Sequence, residues 1–406
     1  MVAQVIQNEE LRMRVVPNDW YYLDLDELIY DFRGGAPLEP SDFTDSGVKV
    51  LPKSGVTRGG VLRINPDDQQ YCSEEYAEDH QSSLVDKSYT VIVLRDLVPS
   101  GPNIGLMVKI DSDENYLLAQ GVYGFKVKSD KVVPEYLVQL SNSHEYRKLM
   151  KSILVGSTQV HITNTTIKNI KIPLPPTLNE QSAIVHVLSD TDNLIESLDR
   201  LIEKKRNIKQ GAMQELLTGK KRLPGFNDEW ETKRFGDILD YEQPVNYLVK
   251  SSEYSDNYET PVLTANKSFI LGYTNEKEGI YNNIPAIIFD DFTTDSKFVK
   301  SPFKVKSSAI KILKAKDNFD LRFIFEKMQL VKFPVGYHKR YYISEYQNQE
   351  IIMPENPREQ FAVSQFLSEM DSEIELLEQE MDKYKQLKIG MMQQLLTGSI
   401  RLKWKS

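Results

Sequence analysis

Gly211-Ala-Met-Gln-Glu-Leu-Leu-Thr-Gly219 returns later in the chain as Gly390-Met-Met-Gln-Gln-Leu-Leu-Thr-Gly398. Around this phrase, residues 171–223 align without a gap onto residues 350–402, an offset of 179, with 22 identities in 53 positions. A chance pairing gives only a few. Arg222-Leu223 returns as Arg401-Leu402, Glu180-Gln181-x-Ala183 as Glu359-Gln360-x-Ala362, and Pro175 as Pro354. The chain is a duplicated unit, a variable block followed by a repeated block, twice over. Such a duplication predicts pseudo-twofold symmetry and a partner or substrate with two similar halves.

Each repeated block reads as one long helix. Apolar positions run Val187/Leu188, Thr191, Leu194/Ile195, Leu198, Leu201/Ile202, Ile208, Ala212 and Leu216. The second copy gives Val363, Leu367, Met370, Ile374, Leu377, Met381, Tyr384, Leu387, Met391 and Leu395. Spacings of three and four alternate, the stripe of a coiled-coil seam. Pro175/Pro176 and Pro354/Pro357 precede the helices, and Gly219 and Gly398 follow as stops. Lys204, Lys205, Arg206 and Lys209 gather toward the C-terminal half of the first, where the helix dipole favours cations. Some 37 residues reach about 55 Å, so two such helices packed antiparallel are expected to act as a rigid spacer. Glu180-Gln181 and Glu359-Gln360 fit either helix capping or subunit contacts, and His186 a structural or interfacial place.

The variable blocks read as mixed α/β domains. Trp20-x4-Leu25-Asp-Glu-Leu28-Ile29 echoes Trp230-x4-Phe235-Gly-Asp-Ile238-Leu239. Strands are expected at Tyr89 to Leu94, Gly121 to Val127, Pro285 to Phe289 and Ala309 to Leu313. Each block closes on an apolar strand running into proline, Ile167-x2-Ile170-x-Ile172-Pro173 and Ile351-Ile352-Met353-Pro354. Otherwise the blocks share little: uniform spacers join divergent modules, so two different things are to be recognised.

Composition narrows the function classes. With 406 residues, 40% hydrophobic and 27% charged, the chain is globular and long enough for two to four domains. No stretch is long and apolar enough to span a bilayer, Glu9 and Glu10 argue against a signal peptide, and the lone Cys72 suits a reducing cytoplasm. Five histidines without metal-ligand spacing predict no metal site. The net charge of −9 conceals a gradient. Residues 1–119 hold 10 Lys/Arg against 21 Asp/Glu, residues 120–170 hold 7 against 3, and residues 293–316 hold 7 against 1. Local fields steer binding more than the total does. No phosphate-binding loop and no Asn-Pro-Pro-Tyr-type methyltransferase motif occurs. Asp290, Asp291 and Asp295 with Lys297 imitate a nuclease set, but carboxylates at strand ends are commonplace.

Two divergent α/β domains, each followed by a helix ending in Gln-x-Leu-Leu-Thr-Gly, resemble the specificity subunit of a type I restriction–modification enzyme over nearly the whole chain. The resemblance rests on Arg222-Leu-Pro-Gly-Phe226-x3-Trp230, Gly156-Ser-Thr-Gln159 before Ile172-Pro-Leu-Pro175, Asn179-Glu-Gln181 and both Leu-Leu-Thr-Gly ends. The second block is also similar to one recurrent type of target recognition domain through Tyr241-Glu-Gln-Pro244-x2-Tyr247-Leu-Val249, Phe289-Asp-Asp-Phe-Thr-Thr294 and His338-Lys-Arg340. Residues 1–19 lack the Arg-Leu-Pro-Gly-Phe lead-in and offer only Val16-Pro-Asn-Asp-Trp20.

The resemblance implies an N-terminal segment 1–19, recognition domains at 20–176 and 223–354, and spacer helices at 177–222 and 355–406. It implies a non-catalytic, cytoplasmic subunit whose two domains each read half of a bipartite double-stranded DNA site. The helices would set the gap and dock two methyltransferase subunits that methylate adenine N6, and motor–nuclease subunits would join. S-adenosylmethionine, ATP and Mg would belong to those partners, with no cofactor in this chain. The alternative is a coiled-coil adaptor with two protein-binding heads.

Base reading needs Arg, Lys, Asn, Gln or Thr at groove edges, and backbone anchoring needs Lys, Arg, hydroxyls and amides. In the first domain the candidates are Lys53, Ser54, Thr57 and Arg58, then Gly156, Ser157, Thr158, Gln159 and His161. In the second they are Tyr241, Gln243, Thr264, Asn266, Lys267, Thr293, Thr294, Lys297, Lys306, Ser307, Ser308, His338, Lys339 and Arg340. Each cluster also reads as a solvated turn.

Overall fold

The computed structural model describes residues 16–264, 269–336 and 339–402. The chain forms two compact units, one from residues up to Leu198 together with Glu380 onward, the other from Asp199–Gln379. Each therefore combines one variable block, the first half of the helix that follows it, and the second half of the other long helix.

The helices, Leu178–Leu216 and Pro357–Leu395, have 39 residues each and start and stop at repeat-equivalent positions. Thr177 Oγ1 accepts from Glu180 N at 3.3 Å and Asn356 Oδ1 from Arg358 N at 3.0 Å, so threonine and asparagine satisfy the free amides at the N-termini. The helices end at Gly219 and Gly398, with φ of 74° and 71°. A Cβ at Gly398 would stand 2.6 Å from the Pro17 ring and 3.0 Å from that of Trp20, and one at Gly219 3.3 Å from that of Trp230. Positive φ and a tryptophan overhead both call for glycine.

Within each unit the two half-helices run antiparallel, and their ion pairs repeat. In the second unit Arg222 grips Glu359, and Lys209 meets Asp371 at 2.5 Å. In the first, Arg401 grips Glu180 and Lys388 meets Asp192, the same pairs displaced by the 179-residue offset. Gln181 and Gln360 face their own domains. Gln181 Oε1 accepts from Val133 N at 2.9 Å, and Gln360 Oε1 from Asp320 N at 2.9 Å while its Nε2 donates to Pro354 O at 2.8 Å. The Glu-Gln pairs thus tie helix to head; the caps belong to other residues.

The heads share a plan. In the first, Tyr21–Asp24 pairs antiparallel with Lys171–Leu174; in the second, Trp230–Arg234 pairs with Glu350–Pro354. A one-turn helix follows each lead strand, Leu25–Leu28 and Phe235–Ile238, burying two apolar side chains apiece. Beyond it, the first head holds a four-stranded sheet in the order Ile29–Gly34, Val122–Val127, Thr90–Val93, Met107–Lys109. A five-stranded sheet lies beside it. The second head holds a four-stranded sheet in the order Leu239–Glu242, Ile310–Ala315, Ala286–Asp290, Ser296–Val299, with a three-stranded sheet beside it. The apolar runs Thr90–Val93 and Ala286–Asp290 are buried throughout, as central strands covered on both faces must be.

The fold class is the one expected, mixed α/β heads with two long antiparallel helices. The seam is narrower. Leu188, Leu198, Ile202, Val363, Leu367 and Ile374 are buried, whereas Leu194, Leu201, Ile208 and Leu387 are exposed. A stripe carrying apolar pairs such as Leu194/Ile195 is wider than the face two paired helices cover, so Leu194 and Leu201 are left out, whereas Val187 and Leu188 both pack on the core. No helix among the described residues is long and apolar enough to cross a membrane.

Candidate nucleic-acid interface

In the first unit two candidate loops meet around an arginine. Lys53–Gly55 forms a single 3-10 turn with Ser54 and Arg58 exposed and Lys53 and Thr57 half-buried. Val155 and His161 exchange two backbone hydrogen bonds of 3.0 and 2.9 Å, closing a loop whose tip, Gly156-Ser157-Thr158-Gln159, is exposed. Gly156 lies at φ 109°, where a Cβ would collide with Gln159 O at 2.1 Å, so this turn requires glycine. His161 pairs with Arg95 on the neighbouring strand. A Cβ at Gly121 would approach Arg95 Cβ to 2.9 Å and Lys53 Cε to 3.6 Å, which brings the Lys53 turn beside the same arginine. Arg95 is exposed and was missed; a cation directly after the apolar run ending at Leu94 is the signal that marks it. Ser54 shares a shallow hollow with Asp67 and Asp68, carboxylates that would repel a phosphate there.

In the second unit the candidates converge on a buried ion pair that the sequence reading did not find. Lys311 Nζ lies 3.1 Å from Asp291 Oδ2, both side chains 2% exposed, and donates to Gln243 Oε1 at 3.1 Å. Asp291 Oδ1 accepts from Tyr342 N at 2.8 Å, and Asp291 N donates to Ala309 O at 3.0 Å. Asp291 therefore joins three segments through its carboxylate and its backbone: the turn of Thr293 and Thr294, the turn of Lys306, Ser307 and Ser308, and the stretch after Arg340. Asp290 Oδ1 accepts from Phe292 N at 2.8 Å and Thr293 N at 3.0 Å, which holds Thr294 at φ 61°. A β-branched residue there costs about 1–3 kcal/mol, and such strain gathers at functional turns.

Tyr241 stacks edge-on against Tyr342 at 5.5 Å, and the Arg340 guanidinium lies 5.9 Å from the centre of the exposed Phe292 ring. Lys306 donates its backbone N–H to Leu263 O at 3.1 Å, which brings it beside Thr264. Its ammonium is 5.8 Å from the Tyr254 ring. Lys297 stands apart, exposed on the edge strand opposite Ile288. Lys339 is exposed, and the Glu345 carboxylate beside it raises its pKa, so part of its charge is already matched. Asn266, Lys267 and His338 lie outside the described residues.

The assembled surface offers hydroxyls, amides, cations and aromatic faces. The acidic run of Asp290 and Asp291 is engaged by backbone amides and Lys311, which assigns these carboxylates to shaping the turn.

The family model of the type I restriction modification DNA specificity domain matches residues 17–205 and 227–386. The specificity subunit of the Escherichia coli type I restriction enzyme EcoR124I/EcoR124II is 44% identical over 159 residues, which are 37% of this chain. The match spans only 39% of that relative's length. A putative type I restriction enzyme specificity subunit, MjaX of Methanocaldococcus jannaschii, is 25% identical over 96% of this chain and 95% of its own. The crystal structure of a type I restriction–modification S subunit from M. genitalium superposes with a TM-score of 0.63 at 14% identity, covering 94% of this chain and 96% of that one. That likeness establishes the fold.

Proposed function

The chain belongs to the type I restriction–modification DNA specificity subunit family, and from that premise we propose how it works. The heads at 20–176 and 223–354 each read one half of a bipartite, asymmetric DNA site. The repeated helices at 177–222 and 355–406 set the gap and dock two methyltransferase subunits. Those partners bind S-adenosylmethionine and methylate adenine N6, while motor–nuclease subunits bring ATP, Mg and cleavage. This chain contributes recognition, with no chemistry of its own.

The single observation that carries the reading is a repetition. The helix-to-head clamps recur residue for residue, Arg222 on Glu359 and Arg401 on Glu180, while the heads they hold differ. A conserved mount with exchangeable heads is what reading two unlike half-sites with two like partners requires. One exposed apolar position of the helices repeats as well. Ile208 and Leu387 are repeat equivalents, 48% and 50% exposed, and one turn on, Gly211 and Gly390 leave open helix surface. These are the proposed docking points, one per unit.

Methyl transfer to duplex DNA by the purified chain, by the methyltransferase subunits and by their mixture tests this reading. Only the mixture is expected to be active, with salt-sensitive, sequence-selective binding. Transfer by the chain alone, or a stable mixture without selective DNA binding, would contradict it.

A further inference from the structure

Gln243 is held from three sides. It precedes Pro244, which favours the extended backbone observed, φ −73° and ψ 138°. Its Oε1 accepts from Lys311 Nζ at 3.1 Å. Lys311 is itself pinned, buried and 3.1 Å from Asp291, whose other oxygen is taken by Tyr342 N. An ammonium has donors only, so the carboxamide must turn its oxygen toward Lys311 and its amino group away. The residue is exposed, as is Tyr241 two positions before it at the end of the strand Leu239–Glu242. A free glutamine reads adenine with both ends, Nε2 to N7 and Oε1 from N6–H2. Lys311 takes one lone pair of Oε1 and fixes the carboxamide, so the end presented outward is the Nε2–H2 donor.

We infer that Gln243 is a specificity-determining residue of fixed polarity, a donor that reads a base-edge acceptor, guanine O6 or N7, adenine N7 or thymine O4, at one position of a half-site. It discriminates against cytosine, whose major-groove edge offers only the N4–H2 donor and would face its Nε2–H2 donor to donor. Lys311 and Asp291 act through it as positioning residues. The inference rests on the reading that this surface of the second unit meets DNA.

Gln243→Glu tests the polarity directly. The carboxylate keeps one oxygen for Lys311 and turns the other, an acceptor, outward. Gln243→Leu removes both ends, and in both variants Lys311 keeps its buried partner Asp291. The assembled complex with its methyltransferase subunits would be scored for methylation across duplexes varied at every specified position. Gln243→Glu is expected to move one position toward cytosine, whose N4–H2 donates to the outward carboxylate oxygen, a shift of tenfold or more. Gln243→Leu is expected to relax that same position to all four bases. An unchanged motif in either variant overturns the inference, and so does loss of all selectivity in Gln243→Leu, since one donor accounts for one position. Lys306→Ala and Arg340→Ala separate this from the parent reading. If they weaken binding while the Gln243 variants do nothing, only the inference falls; if none of the four has an effect, this surface does not meet DNA.

Discussion

Arg222 and Glu359 hold the second unit together at one point. The Glu359 carboxylate is 1% exposed and takes both arms of the guanidinium, Nη2 to Oε2 at 2.6 Å, with Trp230 Nε1 at 3.3 Å. Breaking a buried pair from one side leaves a charge without a partner, at about 3–5 kcal/mol. Arg222→Ala is therefore expected to lower unfolding stability by about 3 kcal/mol. Arg401→Ala should cost less, because Glu180 is 9% exposed and Arg401 36%; equal losses in urea unfolding would contradict this. Lys327 supplies a pH signature. Its ammonium donates to Leu217 O at 2.7 Å, closing the first helix, and burial pushes its pKa from the ordinary 10.5 down to about 8. Between those values the unfolded chain holds the extra proton, so stability should rise as pH climbs from about 8 toward 10.5. Lys327→Met should flatten that rise, and parallel profiles for the two proteins would contradict the assignment. Arg222 and Glu359 stood out in the sequence as repeated residues, but their pairing did not, nor did Lys327. Glu359 lies 137 positions from Arg222, and no local pattern announces a partner at that distance. The polar clusters were legible, because turns concentrate glycine, serine, threonine and lysine. Their common support, Lys311 on Asp291, was not, since a buried lysine reads like a surface one.

At the scale of elements, periodicity carried far. Four expected strands appear as Thr90–Val93, Val122–Val127, Ala286–Asp290 and Ile310–Ala315, each within two residues of its expected limits, and the closing strand of the second block as Glu350–Pro354; in the first block Ile167 lies in a helix, Asn164–Lys168, and only Lys171–Leu174 is strand. The two long helices appear in repeat register. Pairing was beyond reach: that Tyr21–Asp24 lies against Lys171–Leu174 is a contact across the whole head, and alternation within a strand does not name its neighbour. The stripe likewise gave the helices without saying which apolar members face solvent. Those leftovers make a test. Ile208→Glu and Leu387→Glu, at exposed positions one per unit, are expected to leave folding intact and each to remove one methyltransferase subunit. Native mass spectrometry should then find one such subunit per chain in either single variant and none in the double. Full occupancy in the double variant would move the docking surface elsewhere. Gly211→Ala, with nothing within 4 Å of the added Cβ, should stabilise its helix by about 0.5–1 kcal/mol in the isolated chain.

For the whole molecule, the duplication is the organising fact. A chain of net charge −9 is a poor candidate for DNA on its average, and of the 7 Lys/Arg set against 1 Asp/Glu over residues 293–316, Lys304 and Lys311 are buried in ion pairs while Lys306 is exposed on the candidate surface. One mount serves two unlike heads, so the site it reads should have two unlike halves at a fixed separation. Co-expression with the methyltransferase subunits, followed by mapping of N6-methyladenine across the host genome, tests that most directly. The expected result is a single motif, two short specified halves around a gap of constant length. A stable complex that leaves no motif, or one that marks a single continuous site, would contradict it.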